Sequence, residues 1–373
     1  MIYFDNAATS REKPEEVYNA FNYYVREVGV SPGRGSYSLG IEASRMLYVV
    51  RKCVAEFFGA TDPGNVVFTK NSTEAINLYF RGSLRQGDHV LISPFEHNAV
   101  LRPLHAMKEE GIIDYTVIPS EDLYNIDQWE QYICPTTKLA VFTLASNLTG
   151  QIVYYHYMGE YLRRKGVVTF VDSSQGAGKK LINMKRDSID VLAFTGHKDL
   201  LALPGVGGLC SQNNLILKPL IQGGTGIVGD SYTNPQIYPE AYEAGTLNMP
   251  AIWSMKSAIE YINKNISDIN EQEKSLINYL IKKLGEINGI ILYNINIERV
   301  STICFNVNGY KSSEIVEYLD NNDICVRGGI HCTILAHEAI NTVESGAVRV
   351  SLNSFNTVEE INTFIRAIER LGV

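Results

Sequence analysis

Apolar residues along this chain fall into short continuous runs, and between the runs they recur every third or fourth position. Runs at 66–69, 89–93, 115–119, 139–144, 167–171, 191–194 and 207–210 have the length and apolar continuity of buried strands. Stretches between them, such as 74–81 and 98–110, carry apolar residues at helical spacing. Strand alternating with helix predicts a mostly parallel sheet covered on both faces, because a parallel connection needs a crossover helix. In such sheets ligands sit beyond the carboxyl ends of the strands.

The pattern changes after a loop-rich stretch with many Gly and Pro, 222–250. A long helical pattern runs from 251 to about 287, followed by strands at 303–307 and 348–352 and by closing helices. The expected class is α/β. A large domain over 15–250 carries a seven-stranded, mostly parallel sheet. A smaller C-terminal α+β domain covers 251–373, and the first residues, 1–14, pack against it. At 373 residues the chain exceeds one ordinary core, which agrees with two domains.

Composition narrows the classes further. With 45% hydrophobic and 20% charged residues, the chain reads as an ordinary soluble globular protein. A net charge of -8 gives none of the basic footprint of a nucleic-acid binder. No apolar run reaches the ~18 residues of a membrane span. The start, Met1-Ile2-Tyr3-Phe4-Asp5, lacks the basic and apolar regions of a secretory signal, so a cytoplasmic protein is expected. The six cysteines, at 53, 134, 210, 304, 325 and 332, form no CxxC pair. No zinc site is expected from them, and most should be buried free thiols.

Chemistry enters at two strand ends. The run 167–171 leads into Asp172-Ser173-Ser174-Gln175, and the run 191–194 into Thr195-Gly196-His197-Lys198. Neighbouring strands would then present an acid and a lysine at one edge. Pyridoxal 5'-phosphate needs this pair: the lysine forms the Schiff base, and the carboxylate keeps the pyridine nitrogen protonated. Either fragment alone reads more readily as a turn acid or a surface lysine, so the joint placement carries the inference. A third segment, Lys70-Asn71-Ser72-Thr73-Glu74, lies between a strand and a helix. Hydroxyls there cap free backbone N–H groups, and the same helix end can receive a phosphate.

Several ordered motifs resemble the class V aminotransferase family, and within it the Suf-type cysteine desulfurases and selenocysteine lyases. They are Ile2-Tyr3-Phe4-Asp5-Asn6-Ala7-Ala8-Thr9, Thr73-Glu74-Ala75-Ile76-Asn77, Glu96-His97-Asn98, Ser146-Asn147 with Gly150, Val171-Asp172 with Gln175, Gly196-His197-Lys198, and Glu243-Ala244-Gly245-Thr246 with Asn248. The resemblance covers almost the whole chain and implies a fold-type I pyridoxal-phosphate transferase. It implies that Lys198 is the Schiff-base lysine, that Asp172 partners the pyridine nitrogen and that His97 stacks on the ring. Gln175 and Asn147 match contacts to the ring oxygen and the substrate. Thr73, Thr195 and His197 match phosphate ligands. Thr246 matches a residue that reaches the phosphate of a neighbouring subunit, which implies a homodimer with a shared active site.

The segment Cys325-Val326-Arg327-Gly328-Gly329-Ile330-His331-Cys332 resembles the Arg-x-Gly-His-His-Cys stretch of the Suf-type enzymes, with Ile330 in place of the first His. Cys332 then matches the persulfide-forming nucleophile, Arg349 the arginine that binds the substrate carboxylate, and Arg327 a second anion contact. A nucleophilic cysteine must be thiolate and partly exposed. The approach Gly328-Gly329 is expected to be flexible, and His331 either assists proton transfer or simply packs or faces solvent. Cys325 reads as a core thiol. The run Thr333-Ile334-Leu335 lacks the proline that many relatives place there, and the segment after Lys198 differs from the usual short Gly-Pro turn. The expected activity is conversion of L-cysteine to L-alanine, with L-selenocysteine as a related substrate and a protein as sulfur acceptor. The alternatives are another class V aminotransferase or C–S lyase, and a scaffold or sulfur carrier that has kept the fold without catalysis.

Overall fold

The structure is a computed structural model that describes residues 1–33 and 35–372. The chain opens with β1 (Ile2–Tyr3), α1 (Glu15–Tyr23) and α2 (Ser38–Phe58). Next come β2 (Val66–Thr69), α3 (Ser72–Ser83), β3 (Asp88–Ile92), α4 (Asn98–Glu109), β4 (Ile113–Val117) and β5 (Thr137–Thr143). They are followed by α5 (His156–Arg164), β6 (Val168–Asp172), β7 (Val191–Thr195) and β8 (Gly207–Ser211). All seven apolar runs are strands of one sheet, ordered β2-β8-β7-β6-β5-β3-β4.

Neighbours from β4 through β3, β5 and β6 to β7 are parallel, whereas β8 is antiparallel to both β2 and β7. The reversal has a cause in chain length. Only residues 196–206 separate β7 from β8, too few for the dozen or more a parallel crossover takes. Alternation along each strand feeds two cores. On β3, Leu91 joins the face covered by α2, α5 and the start of α6 (Met249–Gly285), while Val90 and Ile92 join the face covered by α3 and α4. On β7, Leu192 and Phe194 take the first face and Val191 and Ala193 the second.

A second sheet, ordered β12-β13-β10-β9, forms after α6. Its strands are β9 (Ile290–Leu292), β10 (Thr302–Val307), β12 (Arg327–Gly329) and β13 (Ala347–Ser351), all antiparallel. The last half of α6, together with α7 (Ser312–Asp320) and α9 (Val358–Glu369), covers it through Leu280, Leu319 and Phe364. The N-terminus does pack here: β1 pairs in parallel with β11 (Ile324–Cys325), and Phe4 is buried in this core. Cys325 is half-buried in that pairing rather than fully in the core. The short α8 (Ile334–Ala339) lies between β12 and β13 in sequence. No helix among the described residues is long and apolar enough to cross a membrane.

One expectation is corrected. Gly328 and Gly329 are not a flexible approach but strand residues, paired with Val348 and Ala347. A Cβ on Gly328 would lie 2.8 Å from Val316 Cγ2 and 3.0 Å from the Ser312 carbonyl, and Gly329 has φ +100. Close approach to α7 and a positive φ require glycine here, not mobility.

Gly208 on β8 is similarly tight, since a Cβ there would lie 2.2 Å from the Val67 carbonyl and 2.8 Å from the Phe194 ring. Gly208→Ala should therefore destabilise the protein by about 1–3 kcal/mol, the usual range for overpacking. Scanning calorimetry should record a lowered unfolding midpoint, and an unchanged one would count against the tight strand spacing.

Candidate active site

Parallel pairing of β6 with β7 sets Asp172 opposite Ala193, so the carboxyl end of β6 and the turn that follows β7 meet at one edge. A cavity of about 270 Å³ lies there. Of the twelve residues singled out from the sequence, ten line it: Thr73, His97, Asn147, Asp172, Gln175, Thr195, His197, Lys198, Arg327 and Arg349. Thr246 lines a separate cavity of about 330 Å³ with Lys70, Glu74 and Asn248. Cys332 lies outside the lining and is exposed.

Asp172 is buried, and Ser174 donates to its Oδ1 from both its backbone N–H (3.0 Å) and its hydroxyl (2.5 Å). Burial raises its carboxyl above the usual range, while the Ser174 contacts and Lys198 pull it back. Burial likewise pushes the Lys198 amine down. Asp172 opposes that, and Arg349 adds to it. Beside Asp172, Gln175 is also buried and donates from Nε2 to the Ala7 carbonyl at 2.8 Å.

His97 is the N-cap of α4, and its Nδ1 accepts from the Ala99 N–H at 3.0 Å. Nδ1 therefore carries no proton, and the neutral ring holds its proton on Nε2. Burial and the Lys198 charge push this imidazole down to about 3, so it stays neutral at physiological pH. His197, half-buried, is pushed down to about 4 by burial and Lys198. Its carbonyl accepts from Ser10 N–H at 3.0 Å and from the Thr9 hydroxyl at 3.1 Å, which ties the N-terminal segment to the lysine turn. Thr195 Oγ1 is buried in the cavity wall without a partner among the described residues. Thr73 sits in the first turn of α3, whose N-cap Asn71 accepts from the Glu74 N–H at 2.9 Å.

Across β12 and β13, Arg327 lies directly opposite Arg349. Arg349 is 1% exposed, pairs with Asp5 Oδ1 at 2.5 Å and donates from Nη1 to the Asn147 carbonyl at 2.9 Å, while its Nε has no partner among the described residues. Two guanidinium groups face the cavity with one carboxylate paired to them. The surplus positive charge and the forked donors suit a carboxylate. Asp5 was not singled out. It stands in the opening motif, 344 residues from its partner, and no local signal connects the two.

Cys332 and His331 both adopt left-handed backbone, with φ 57 and 53. The Cys332 carbonyl accepts from the Asn98 N–H at 2.8 Å, and the Thr333 hydroxyl donates to the Glu96 carbonyl at 3.0 Å. The thiol-bearing turn is thus pinned on both sides of His97. Cys332 Sγ lies 3.6 Å from Arg327 Nη2. His331 donates from Nε2 to the Ala347 carbonyl at 2.9 Å and stacks on His337, ring centroids 5.8 Å apart. Burial and Arg349 push its ring down to about 3, and at 3% exposure it is packed in the cavity wall rather than facing solvent.

Glu96 is fully buried behind His97. Its Oε1 accepts from the Ser93 hydroxyl (2.5 Å) and the Thr143 N–H (2.6 Å), while Oε2 has no partner among the described residues. Burial pushes this carboxyl up to about 8.

The class V aminotransferase family model matches residues 2–364. The chain belongs to that family. Among its relatives, a probable cysteine desulfurase of Methanothermobacter thermautotrophicus is 31% identical, covering all of this chain and 94% of its own length. A cysteine desulfurase of Yersinia pestis is 28% identical, covering all of this chain and 93% of its own. Among solved structures, the apo cysteine desulfurase from Thermococcus onnurineus NA1 superposes with a TM-score of 0.91 at 29% identity, over all of this chain and 95% of that one. The Escherichia coli cysteine desulfurase CsdA, solved with an S-sulfonic acid, gives 0.86 at 26% identity, over 99% and 94%.

Glu96 generates a test of stability. A carboxyl whose folded-state value is raised favours the unfolded state increasingly as pH climbs from its ordinary value of 4.5 to about 8. Glu96→Gln, which is permanently neutral, should therefore melt above wild type at neutral pH, by a margin that vanishes near pH 4.5. Thermal melts across pH check this, and a margin independent of pH would contradict a neutral Glu96.

Proposed function

We propose that the protein is a pyridoxal-phosphate-dependent cysteine desulfurase, converting L-cysteine to L-alanine and leaving the sulfur as a persulfide on Cys332. The observation that carries this reading is the convergence on one cavity of the Lys198–Asp172 pair and the Arg327–Arg349 pair, with an exposed thiol 3.6 Å from Arg327. The cofactor fits the residues present. Lys198 offers an amine, Asp172 a buried carboxylate, His97 a neutral ring, and Thr195 a buried hydroxyl that lacks a partner.

Thr73, Thr195 and His197 would hold the phosphate, Gln175 and Asn147 the ring oxygen side, and Asp172 a proton at the pyridine nitrogen. When bound, pyridoxal phosphate supplies the electron sink for bonds broken beside the amino-bearing carbon. Arg349 binds the substrate carboxylate, and Arg327 adds a second positive charge. Lys198, its proton affinity lowered by burial, moves protons at the substrate carbons. The Cys332 thiolate attacks the substrate sulfur. A new S–S bond forms, the substrate's carbon–sulfur bond breaks with its electron pair left on carbon, and that carbon takes a proton to give alanine. The exposure of Cys332 supports onward delivery of the sulfur to a protein acceptor. Thr246, outside the cavity of its own chain, suits a contact across a homodimer of a cytoplasmic enzyme.

The test is anaerobic turnover of L-cysteine by the cofactor-loaded protein, with alanine and sulfide measured in the presence of a reducing thiol. Cys332→Ala should lose alanine production by at least about 100-fold, the scale of removing a nucleophile, while keeping the visible band of the bound cofactor. Lys198→Ala should lose both. Equal alanine from wild type and Cys332→Ala would remove Cys332 from the reaction. Activity on L-selenocysteine alone would reassign the substrate.

A further inference from the structure

A buried cluster of charge lies behind Lys198, outside the cavity lining. Lys179, 9% exposed, comes from the loop after β6, and four oxygens lie around its ammonium, two of them carboxylate partners and two hydrogen-bond acceptors. These are Asp199 Oδ1 at 3.1 Å, Glu273 Oε2 at 3.0 Å, Ser301 Oγ at 2.8 Å and the Leu352 carbonyl at 3.1 Å. Each belongs to a different part of the molecule. Asp199 follows Lys198 directly, Glu273 is on α6, Ser301 precedes β10, and Leu352 follows β13, the strand of Arg349.

Asp199 has a second tie. Its Oδ2 accepts from the Gly176 N–H at 2.7 Å, next to Gln175. Gly178 has φ +97, and a Cβ there would lie 2.3 Å from the Asp199 carbonyl, so the two loops touch along their backbones. One carboxylate therefore clamps the loop of Asp172 and Gln175 to the turn of Lys198. Through Lys179 the same carboxylate reaches α6 and the end of the Arg349 strand. Such a buried pair is costly to break on one side only, because a charge is then left without its partner.

We propose that Asp199 is a positioning residue for Lys198, acting through Lys179 and Gly176 to hold the amine at a fixed place relative to Asp172 and Arg349. The proposal rests on Lys198 being the cofactor-bearing lysine. It assigns a role to the residue after that lysine, where this chain carries a carboxylate. The charged and titratable groups around Lys198 are Asp172 on β6, Arg327 on β12, Arg349 on β13, His97 at the start of α4, and its neighbours His197 and Asp199. Two of these are acids, and both favour the protonated nitrogen. Removing the Asp199 charge must lower the proton affinity of the Lys198 nitrogen.

The experiment compares wild type with Asp199→Asn, both loaded with pyridoxal phosphate. It titrates the visible absorbance band of the lysine-bound cofactor against pH without substrate. It then measures kcat and KM for L-cysteine. In Asp199→Asn the titration midpoint should move to lower pH by about half a unit, the scale of one partly screened charge. The kcat should fall about 100-fold, as expected for a misplacement near 1 Å, with KM little changed. Should Asp199→Asn fail to fold, Lys179→Met with Asp199→Asn removes a cation and an anion together; the midpoint should then stay near wild type while kcat falls as in the single variant, and a wild-type kcat in it would overturn the proposal. A lowered melting temperature with the wild-type midpoint and kcat would show a purely structural cluster and overturn the proposal. A wild-type protein without any visible band would instead overturn the cofactor reading itself.

Discussion

The site depends on the register between β6 and β7. Asp172 ends one strand opposite Ala193 of the other, and Lys198 follows the second strand by three positions. A slip of one residue would send every side chain of a strand to the opposite face. A slip of β6 would take the acid out of the cavity, and a slip of β7 would make Leu192 and Phe194 exchange cores with Val191 and Ala193. Register is thus held by the same burial that stabilises the sheet, and the acid's distance from the lysine turn follows from core packing.

The charges at the site are balanced by position rather than by pairing each with its opposite. Arg349 is neutralised by Asp5, drawn from the far end of the chain, yet Arg327 beside it pairs with no carboxylate among the described residues. The imidazoles of His97, His197 and His331 are held neutral by burial and nearby cations. Glu96 is held protonated by burial. The cavity therefore keeps its positive charge on groups that meet an anion and keeps its interior rings out of the acid–base range.

Much of this could be read in the sequence, for a physical reason. Strands of a parallel sheet are buried on both faces, so they stand out as continuous apolar runs, and all seven did. Strand ends then located Asp172 and Lys198. Features that rest on contacts distant in sequence left no local trace. Asp5 meets Arg349, and Lys179 meets Asp199 and Glu273, only once both sheets are assembled. Helix α2 was also missed: Leu39, Ile41, Tyr48 and Val49 are exposed on it, which blurs its apolar stripe. Strands β1, β11 and β12 are two or three residues long and give no period to detect. Gly328-Gly329 misled because glycine signals either freedom or lack of room, and sequence does not distinguish them.

The 37 residues of α6 join two cores. Ile252, Met255 and Ile259 wall one face of the large sheet, and Leu276, Leu280 and Leu284 fill the core of the small one. A helix rises about 1.5 Å per residue, so this one spans about 55 Å as a single rod. Neither sheet can lose its wall without unravelling a rod that the other also uses. The two halves of the molecule are therefore one cooperative unit in unfolding, and a cofactor that steadies the large half would steady the small half as well.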